Sequence, residues 1–161
     1  MKTAGSDAEE EKELHDLETL MWGEDVDAFV SGAIASDYQW SRINEICDKL
    51  DRPLHSPLWR KPQRAIVEDM LDAGFKMIIV GTFAQGLDES WLGREITTEA
   101  LDELAELERR YGISVSGEGG EIETFVTDAP NFMTPIRIDE AEKVVSRDSG
   151  VYAIRSASLE L

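Results

Sequence analysis

The sequence predicts an α/β protein in two parts, a partial parallel sheet with helices followed by a small α+β domain. Two observations predict this class. Up to Gly112, apolar stretches of strand length alternate with helical patterns, which is typical of a parallel sheet. After Gly112, short strand-like segments follow one another with no helical pattern between them, which indicates an antiparallel or mixed sheet. We expect the domain boundary near Leu58–Pro62, which separates residues 1–60 from residues 61–161.

The first two elements are a helix and a strand. Ser6 and Glu9 have the spacing of a capping box, and the apolar stripe that follows predicts an amphipathic helix over Asp7–Met21. The stretch Val26–Ala35 is apolar and bounded by turn signals, so it predicts a buried strand.

A second capping box, Ser36 with Gln39, predicts a helix that runs to about Leu50. Its apolar positions lie on one face and include Cys47, which we therefore expect to be a core thiol rather than a nucleophile. A short strand is expected around Leu54.

The middle of the chain shows one more cycle of helix and strand. Pro62 suits the first turn of a helix that ends before Gly74, and Phe75–Val80 is strongly apolar and predicts a strand. A glycine-punctuated loop, Gly81–Arg94, leads to another helix, which Gly112 closes. Beyond it we expect short strands at Ile113–Val115, Glu121–Thr127, Ile136–Asp139, Lys143–Val145 and Val151–Leu159.

Composition excludes several classes of function. The net charge of −18 repels phosphate backbones, so we expect no direct binding of nucleic acid. No apolar run has the length of a membrane span, and one cysteine excludes an internal disulfide, so we expect no membrane and a reducing cytoplasm. The acidic surface and the excess of arginine over lysine would suit a halophilic, archaeal-like cytoplasm, and an ordinary acidic protein is the alternative.

The most unusual stretch is Gly117–Thr124, with three glycines that let the backbone turn tightly. If a strand begins at Glu121, its carboxylate and that of Glu123 share one face, and such a pair binds a cation or amine or stays solvated. A hairpin turn with a wet strand face is the alternative.

Two other stretches combine polar groups with turns. Gly86–Arg94 carries acids, an aromatic ring and an arginine after a buried strand, where ligands of open α/β sheets gather. Its alternative is a helical turn pinned into the core. Gly32–Arg42 runs from a strand end into a helix start, which favours an anion, although Ser36 alone suits a cap. His15 and His55 lack ligand-like spacing, so we predict no metal site.

These motifs, with Pro57-Leu58-Trp59 between the first two in chain order, resemble those of the diphthine–ammonia ligase family of ATP pyrophosphatases. GLDESWLGR and GEGGEIETF are long and specific, and the resemblance covers nearly the whole chain. It implies an adenine-nucleotide-hydrolase-like (Rossmann-like) half-domain over 1–60, the second half of a PP-loop ATP-binding domain. It also implies a substrate-binding domain over 61–161.

The activity implied by the resemblance is the last step of diphthamide biosynthesis, in which diphthine on elongation factor 2 is amidated with ammonium. ATP is split to AMP and pyrophosphate, with Mg²⁺ offsetting the triphosphate charge. By physical role we expect Glu118, Glu121 and Glu123 to be catalytic, holding the trimethylammonio group or orienting ammonia. The expected substrate-binding residues are Asp88, Glu89, Trp91, Arg94, Gly119, Gly120 and Thr124, with Trp91 in cation–π contact. The expected nucleotide-binding residues are Gly32, Ser36, Tyr38, Gln39 and Arg42, with arginines balancing anionic charge.

The sequence also departs from the family's pattern. It contains no SGGKDS-type loop, and Trp40 and Asn44 stand where an arginine and a glutamate are usual. We therefore expect weak ATP binding by this chain alone, and a second chain carrying the loop, or a homodimer, as a partner. The alternatives to a ligase are a non-catalytic substrate-binding module and an inactive truncated paralogue. The loops of Glu118–Glu123 and Asp88–Trp91 are expected to converge on one pocket.

Overall fold

A computed structural model describes residues 7–160, so the capping box predicted at Ser6 lies outside the described residues. The chain divides into two compact units, Met1–Arg60 and Lys61–Leu161. The structure is a mixed α/β protein with one small parallel sheet and one antiparallel sheet, as the sequence predicts. No helix among the described residues is long and apolar enough to cross a membrane.

The first unit contains two helices and a two-stranded parallel sheet. Its elements are α1 (Asp7–Trp22), β1 (Phe29–Val30), α2 (Asp37–Lys49) and β2 (Leu54–His55). Phe29 pairs with Leu54 and Val30 with His55, in parallel. The core of this unit joins Met21 of α1 to Ile46 and Cys47 of α2.

Two predictions in this unit have opposite outcomes. Ser36 caps α2, since its hydroxyl accepts a hydrogen bond from the Gln39 amide at 3.3 Å, which confirms the helix start. The long buried strand over Val26–Ala35 is wrong, because only Phe29–Val30 pairs. The chain leaves the sheet at Ser31, whose hydroxyl accepts from the Ala33 amide at 3.1 Å and turns the backbone.

The second unit is a four-stranded antiparallel sheet with two helices. Its elements are α3 (Gln63–Asp72), β3 (Lys76–Thr82), a 3₁₀ turn (Glu89–Trp91), α4 (Thr98–Tyr111), β4 (Ile122–Asp128), β5 (Ile136–Val145) and β6 (Gly150–Leu159). The strand order is β4-β3-β6-β5. The core packs Ile79 of β3 against Leu101 and Leu104 of α4, all fully buried.

Three predictions about the strands of this unit are wrong. Strand β3 pairs antiparallel with both neighbours, so the predicted parallel sheet does not extend past residue 60. The expected strand Ile113–Val115 is not a strand, although both named residues are buried in the core. The two short strands predicted between Ile136 and Val145 are one strand, because register shifts near Glu140 let pairing with β6 continue.

Candidate functional site

Three loops of the second unit meet at one end of its sheet. Thr82, the last residue of β3, pairs with Ile122 at the start of β4 and with Gly150 at the start of β6. The loops that follow β3 and precede β4 and β6 therefore lie side by side. A hydrogen bond from the Phe83 amide to the Glu121 carbonyl, at 2.8 Å, joins the first two directly.

The loop Gly86–Arg94 is built around a capped 3₁₀ turn. One carboxylate oxygen of Asp88 accepts from the Ser90 amide at 2.9 Å and from the Ser90 hydroxyl at 2.5 Å. These bonds hold the pKa of Asp88 below its ordinary value, with Lys143 adding a smaller electrostatic effect. Asp88 is therefore an exposed, ionised capping residue at the mouth of the loop.

Two aromatic rings explain the glycines of this loop. Gly86 and Gly93 both have positive φ angles, +94° and +76°. A methyl group on Gly86 would lie 2.6 Å from the Tyr111 ring, and one on Gly93 would lie 2.8 Å from the Tyr152 ring. Both positions need glycine for backbone conformation and for space.

Trp91 and Arg94 are engaged within the protein. Trp91 is only 5% exposed and belongs to the core, and the Arg94 guanidinium carbon lies 4.5 Å from its ring centroid. Arg94 also donates to both carboxylate oxygens of Glu103, at 2.8 and 2.6 Å. This pairing raises the pKa of Arg94 and lowers that of Glu103. The structure thus gives both predicted substrate residues a role in holding the loop.

The glycine-rich loop before β4 is tied to the start of α3. The side-chain oxygen of Gln63 accepts from the hydroxyls of Ser114 and Ser116, at 2.6 and 3.1 Å. The Ser114 hydroxyl in turn accepts from the Glu118 amide at 2.9 Å. Gln63 was not predicted from the sequence, because a glutamine that opens a helix gives no local signal of this contact.

The carboxylate of Glu121 folds back on its own loop. It lies against Gly119, where an added methyl group would overlap it. Its Oε2 atom is buried and has no hydrogen-bond donor among the described residues. Glu123 and Thr124 are exposed on β4, with Glu123 opposite Gly81 of β3, and Gly120 takes a φ of +79°.

A cavity of about 630 Å³ opens beside these loops. One wall is the chain from Thr82 to Glu89 with Leu92, and the other is the turn Val145–Gly150 between β5 and β6. Asp88 and Glu89 line it, whereas Glu118, Glu121 and Glu123 do not. The two motifs therefore lie at the same end of the sheet, but only the motif Gly86–Arg94 contributes residues to the lining of the cavity.

The wall from the β5–β6 hairpin was missed by sequence reasoning. Lys143 of β5 donates to the Glu89 carbonyl at 3.0 Å, and Leu92 packs on Gly150, where a methyl group would lie 2.8 Å from its Cδ1. The signal was present in the Arg-Asp-Ser-Gly turn between two strand patterns, but many hairpins have such turns.

The first unit has its own cavity, of about 440 Å³, beyond the end of β1. Gly32, Tyr38, Gln39 and Arg42 line it, and the Arg42 guanidinium carbon lies 3.2 Å from the Tyr38 ring centroid. Ser36 acts as the helix cap and is not in the lining. Four of the five predicted nucleotide residues thus share one cavity.

Comparison with known proteins gives the family. A family model for the diphthamide synthase C-terminal domain matches residues 62–159, more than half of the chain, and one for the diphthamide synthase N-terminal domain matches residues 1–52. The chain belongs to the diphthamide synthase family. Both sequence motifs, GLDESWLGR and GEGGEIETF, fall inside the part matched as the diphthamide synthase C-terminal domain.

Similar proteins carry the name diphthine–ammonia ligase. The protein of Mus musculus is 36% identical over 141 residues, which is 86% of this chain and 52% of the relative. That of Danio rerio is 39% identical over 124 residues, 76% of this chain and 48% of the relative. That of Schizosaccharomyces pombe is 36% identical over 126 residues, 78% of this chain and 20% of the relative. The chain spans about half the length of the animal relatives that it matches.

Proposed function

We propose that this chain acts in the ATP-dependent amidation of diphthine on elongation factor 2, with ammonium as the nitrogen source. One observation carries the proposal. The loops that carry GLDESWLGR and GEGGEIETF adjoin at one end of the sheet, beside a cavity of about 630 Å³. The Phe83 amide, three residues before the first motif, donates to the Glu121 carbonyl in the second. That volume is in the range of small-molecule sites, roughly 300–1,000 Å³.

In this proposal the second unit receives the diphthine side chain. Glu89 and Asp88 line the cavity and supply negative charge to a trimethylammonio group. Glu121 is the residue best suited to ammonium, since its buried Oε2 atom lacks a donor among the described residues. The proposed site also includes the neighbouring residues of this loop and of the start of β4, namely Glu118, Gly119, Gly120, Glu123 and Thr124. Trp91 and Arg94 position the loop from beneath.

The first unit is proposed to hold the nucleotide. Its cavity offers the Tyr38 ring, the Gln39 amide and the Arg42 guanidinium, which fit an adenosine group and one anionic group. ATP, when bound, supplies the chemistry that turns the carboxylate into an acylating group. Among the described residues no group of three His, Cys, Asp or Glu side chains is placed to hold a metal ion. Mg²⁺ would therefore come with the nucleotide phosphates, as is usual for this ion.

The proposed partners are elongation factor 2 and a second chain. The proposed location is a cytoplasm of high salt concentration, in which an acidic surface is screened. A second copy of this chain is supported by the edge strand β5, on which Val144 and Val145 are 52% and 51% exposed.

The substitution Glu121→Gln tests the proposal. It keeps the shape of the side chain and removes its charge, so amidation should be lost while the circular dichroism spectrum stays unchanged. The chain is joined to a segment that carries an SGGKDS-type ATP loop and is supplied with diphthine-bearing elongation factor 2, ATP and ammonium. Product is followed by peptide mass spectrometry. Glu140→Gln, on the exposed face of β5, is the matched control and should amidate normally.

Two results would count against the proposal. Absence of ATP-dependent amidation by the unsubstituted protein would remove the proposed activity. Normal amidation by Glu121→Gln would leave the activity but show that the charge of Glu121 is not needed for it.

A further inference from the structure

Arg147 differs from the other arginines of the chain. Within residues 7–160, nine of the ten arginines contact a carboxylate, a backbone carbonyl or an aromatic ring. Arg147 has no such contact with any described residue, in a protein with thirty-four carboxylates. A guanidinium left without a carboxylate amid so many acids is available to a ligand.

The turn that carries Arg147 is well fixed. The Ser146 amide donates to the Ser149 carbonyl at 2.8 Å, and the two serine hydroxyls lie 2.7 Å apart. The pairing of Val145 with Gly150 closes the turn at its base. Arg147 lines the 630 Å³ cavity from this turn, and the loop Thr82–Glu89 lines the same cavity.

The charges around the cavity are of both signs. Glu89 and Asp148 line it with carboxylates that make no hydrogen bond or ion pair with the described residues. The Asp88 carboxylate is already engaged by Ser90. Among the described residues that line the cavity, Arg147 is the one cation. Lys143 lies outside the lining and donates to the Glu89 carbonyl. A cavity with these groups suits a ligand that carries both charges.

We propose that Arg147 binds the carboxylate of a zwitterionic side chain whose quaternary ammonium lies on the Glu89 side of the cavity. The guanidinium presents two parallel N–H donors that can bind both oxygens of a carboxylate. A lysine ammonium, which acts as a point charge, does not offer this paired geometry. This assignment rests on the proposed function, since diphthine carries a trimethylammonio group and a carboxylate. It makes Arg147 the residue that selects a substrate with a carboxylate over one with the cation alone.

The experiment uses the 161-residue chain and two small probes. Glycine betaine carries a quaternary ammonium and a carboxylate, and choline carries the ammonium without the carboxylate. Each is titrated into ¹⁵N-labelled protein, and the amide shifts of residues 82–92 and 145–150 give the dissociation constants. We expect betaine to bind about ten-fold more tightly than choline, as one charge-assisted pair allows.

Substitutions then locate the effect. Arg147→Gln should weaken betaine binding about ten-fold without weakening choline binding, while betaine binding by Arg147→Lys should fall between that of Arg147→Gln and that of the unsubstituted chain. Arg155→Gln is the control, because it removes the same charge from the same hairpin at an arginine paired with Glu142. It should bind both probes as the unsubstituted chain does.

The outcomes separate this inference from the proposed function. Equal binding of betaine by the unsubstituted chain and Arg147→Gln, or betaine shifts confined to other residues, would overturn the inference whether or not the chain amidates diphthine. Betaine binding that depends on Arg147 would support it even if no ligase activity were found.

Discussion

Replacing Gly93 by alanine is expected to destabilise the second unit by more than its backbone conformation alone requires. Gly93 has a φ of +76°, and a methyl group there would lie 2.8 Å from Cε2 and 3.0 Å from Cζ of Tyr152. An L-residue in the left-handed region costs about 1–2 kcal/mol. Forcing a methyl group into a packed contact adds about 1–3 kcal/mol. Alanine restricts the unfolded chain and returns about 0.4–1 kcal/mol. The net expectation is a loss of about 1–5 kcal/mol, centred near 3 kcal/mol.

Gly112 offers a matched control for this substitution. It has nearly the same φ, +71°, but apart from its two chain neighbours no atom of the described residues lies within 4 Å of the position that a methyl group would occupy. Gly112→Ala should therefore show the backbone cost without the clash, a net loss of about 1 kcal/mol. The difference between the two variants measures the contact between Gly93 and Tyr152.

The free energy of unfolding is measured by urea titration followed by circular dichroism. Native-state hydrogen exchange of β3 and β6 amides is measured in parallel, because it reports on the second unit by itself. In a Tyr152→Ala background, Gly93→Ala should cost no more than Gly112→Ala. The reasoning is refuted if Gly93→Ala and Gly112→Ala are equally destabilising in the unsubstituted protein.

Two further predictions follow from local features. Thr97 caps α4 by accepting from the Ala100 amide at 3.3 Å, so Thr97→Ala should lower the free energy of unfolding by about 0.5–2 kcal/mol, whereas Thr98→Ala, one residue into the helix, should change it little in the same urea titration. Burial, with a smaller contribution from Asp48, raises the pKa of the Cys47 thiol above its ordinary value. The folded state therefore favours the neutral thiol. This contribution to the free energy of unfolding is fully present below the ordinary thiol pKa and is lost as the pH rises through the raised pKa. The melting temperature should fall over that alkaline range less steeply in Cys47→Ala, and an equal slope would contradict the assignment.

Local signals in the sequence predicted the helices well. Ser36 and Gly112 set a helix start and a helix end by contacts within a few residues, so their effect is visible in the sequence itself. Strand pairing was less accessible, because it depends on residues far apart in the chain. Strand β3 has the apolar pattern of a parallel strand, yet it pairs with β4 and β6, which are more than 35 residues further along. Short apolar patterns do not specify the direction of the partner.

The candidate site, like the fold, was only partly predictable from the sequence. The glycines and acids of Gly86–Arg94 and Gly117–Thr124 indicated two loops with unusual demands, and the two loops do lie at one end of the sheet. The side chains within them were harder to assign. Trp91 and Arg94 have the residue types of a ligand site, but burial and Glu103 give them structural contacts that no spacing reveals. Arg147 attracts notice only once its lack of a partner among the described residues is known.

The bonds that converge on Gln63 anchor the start of the glycine-rich loop to one side-chain atom. A single side-chain oxygen accepts from the Ser114 hydroxyl, the Ser116 hydroxyl and, at 3.4 Å, the Ser116 amide. The Ser114 hydroxyl relays the same anchor to the Glu118 amide. Because these three bonds share one acceptor, rotation of the Gln63 side chain releases all three together. A segment with three flexible glycines is thereby held in its shape before any ligand binds. The entropy cost of ordering this segment is then part of the free energy of folding and does not reduce the affinity for a ligand.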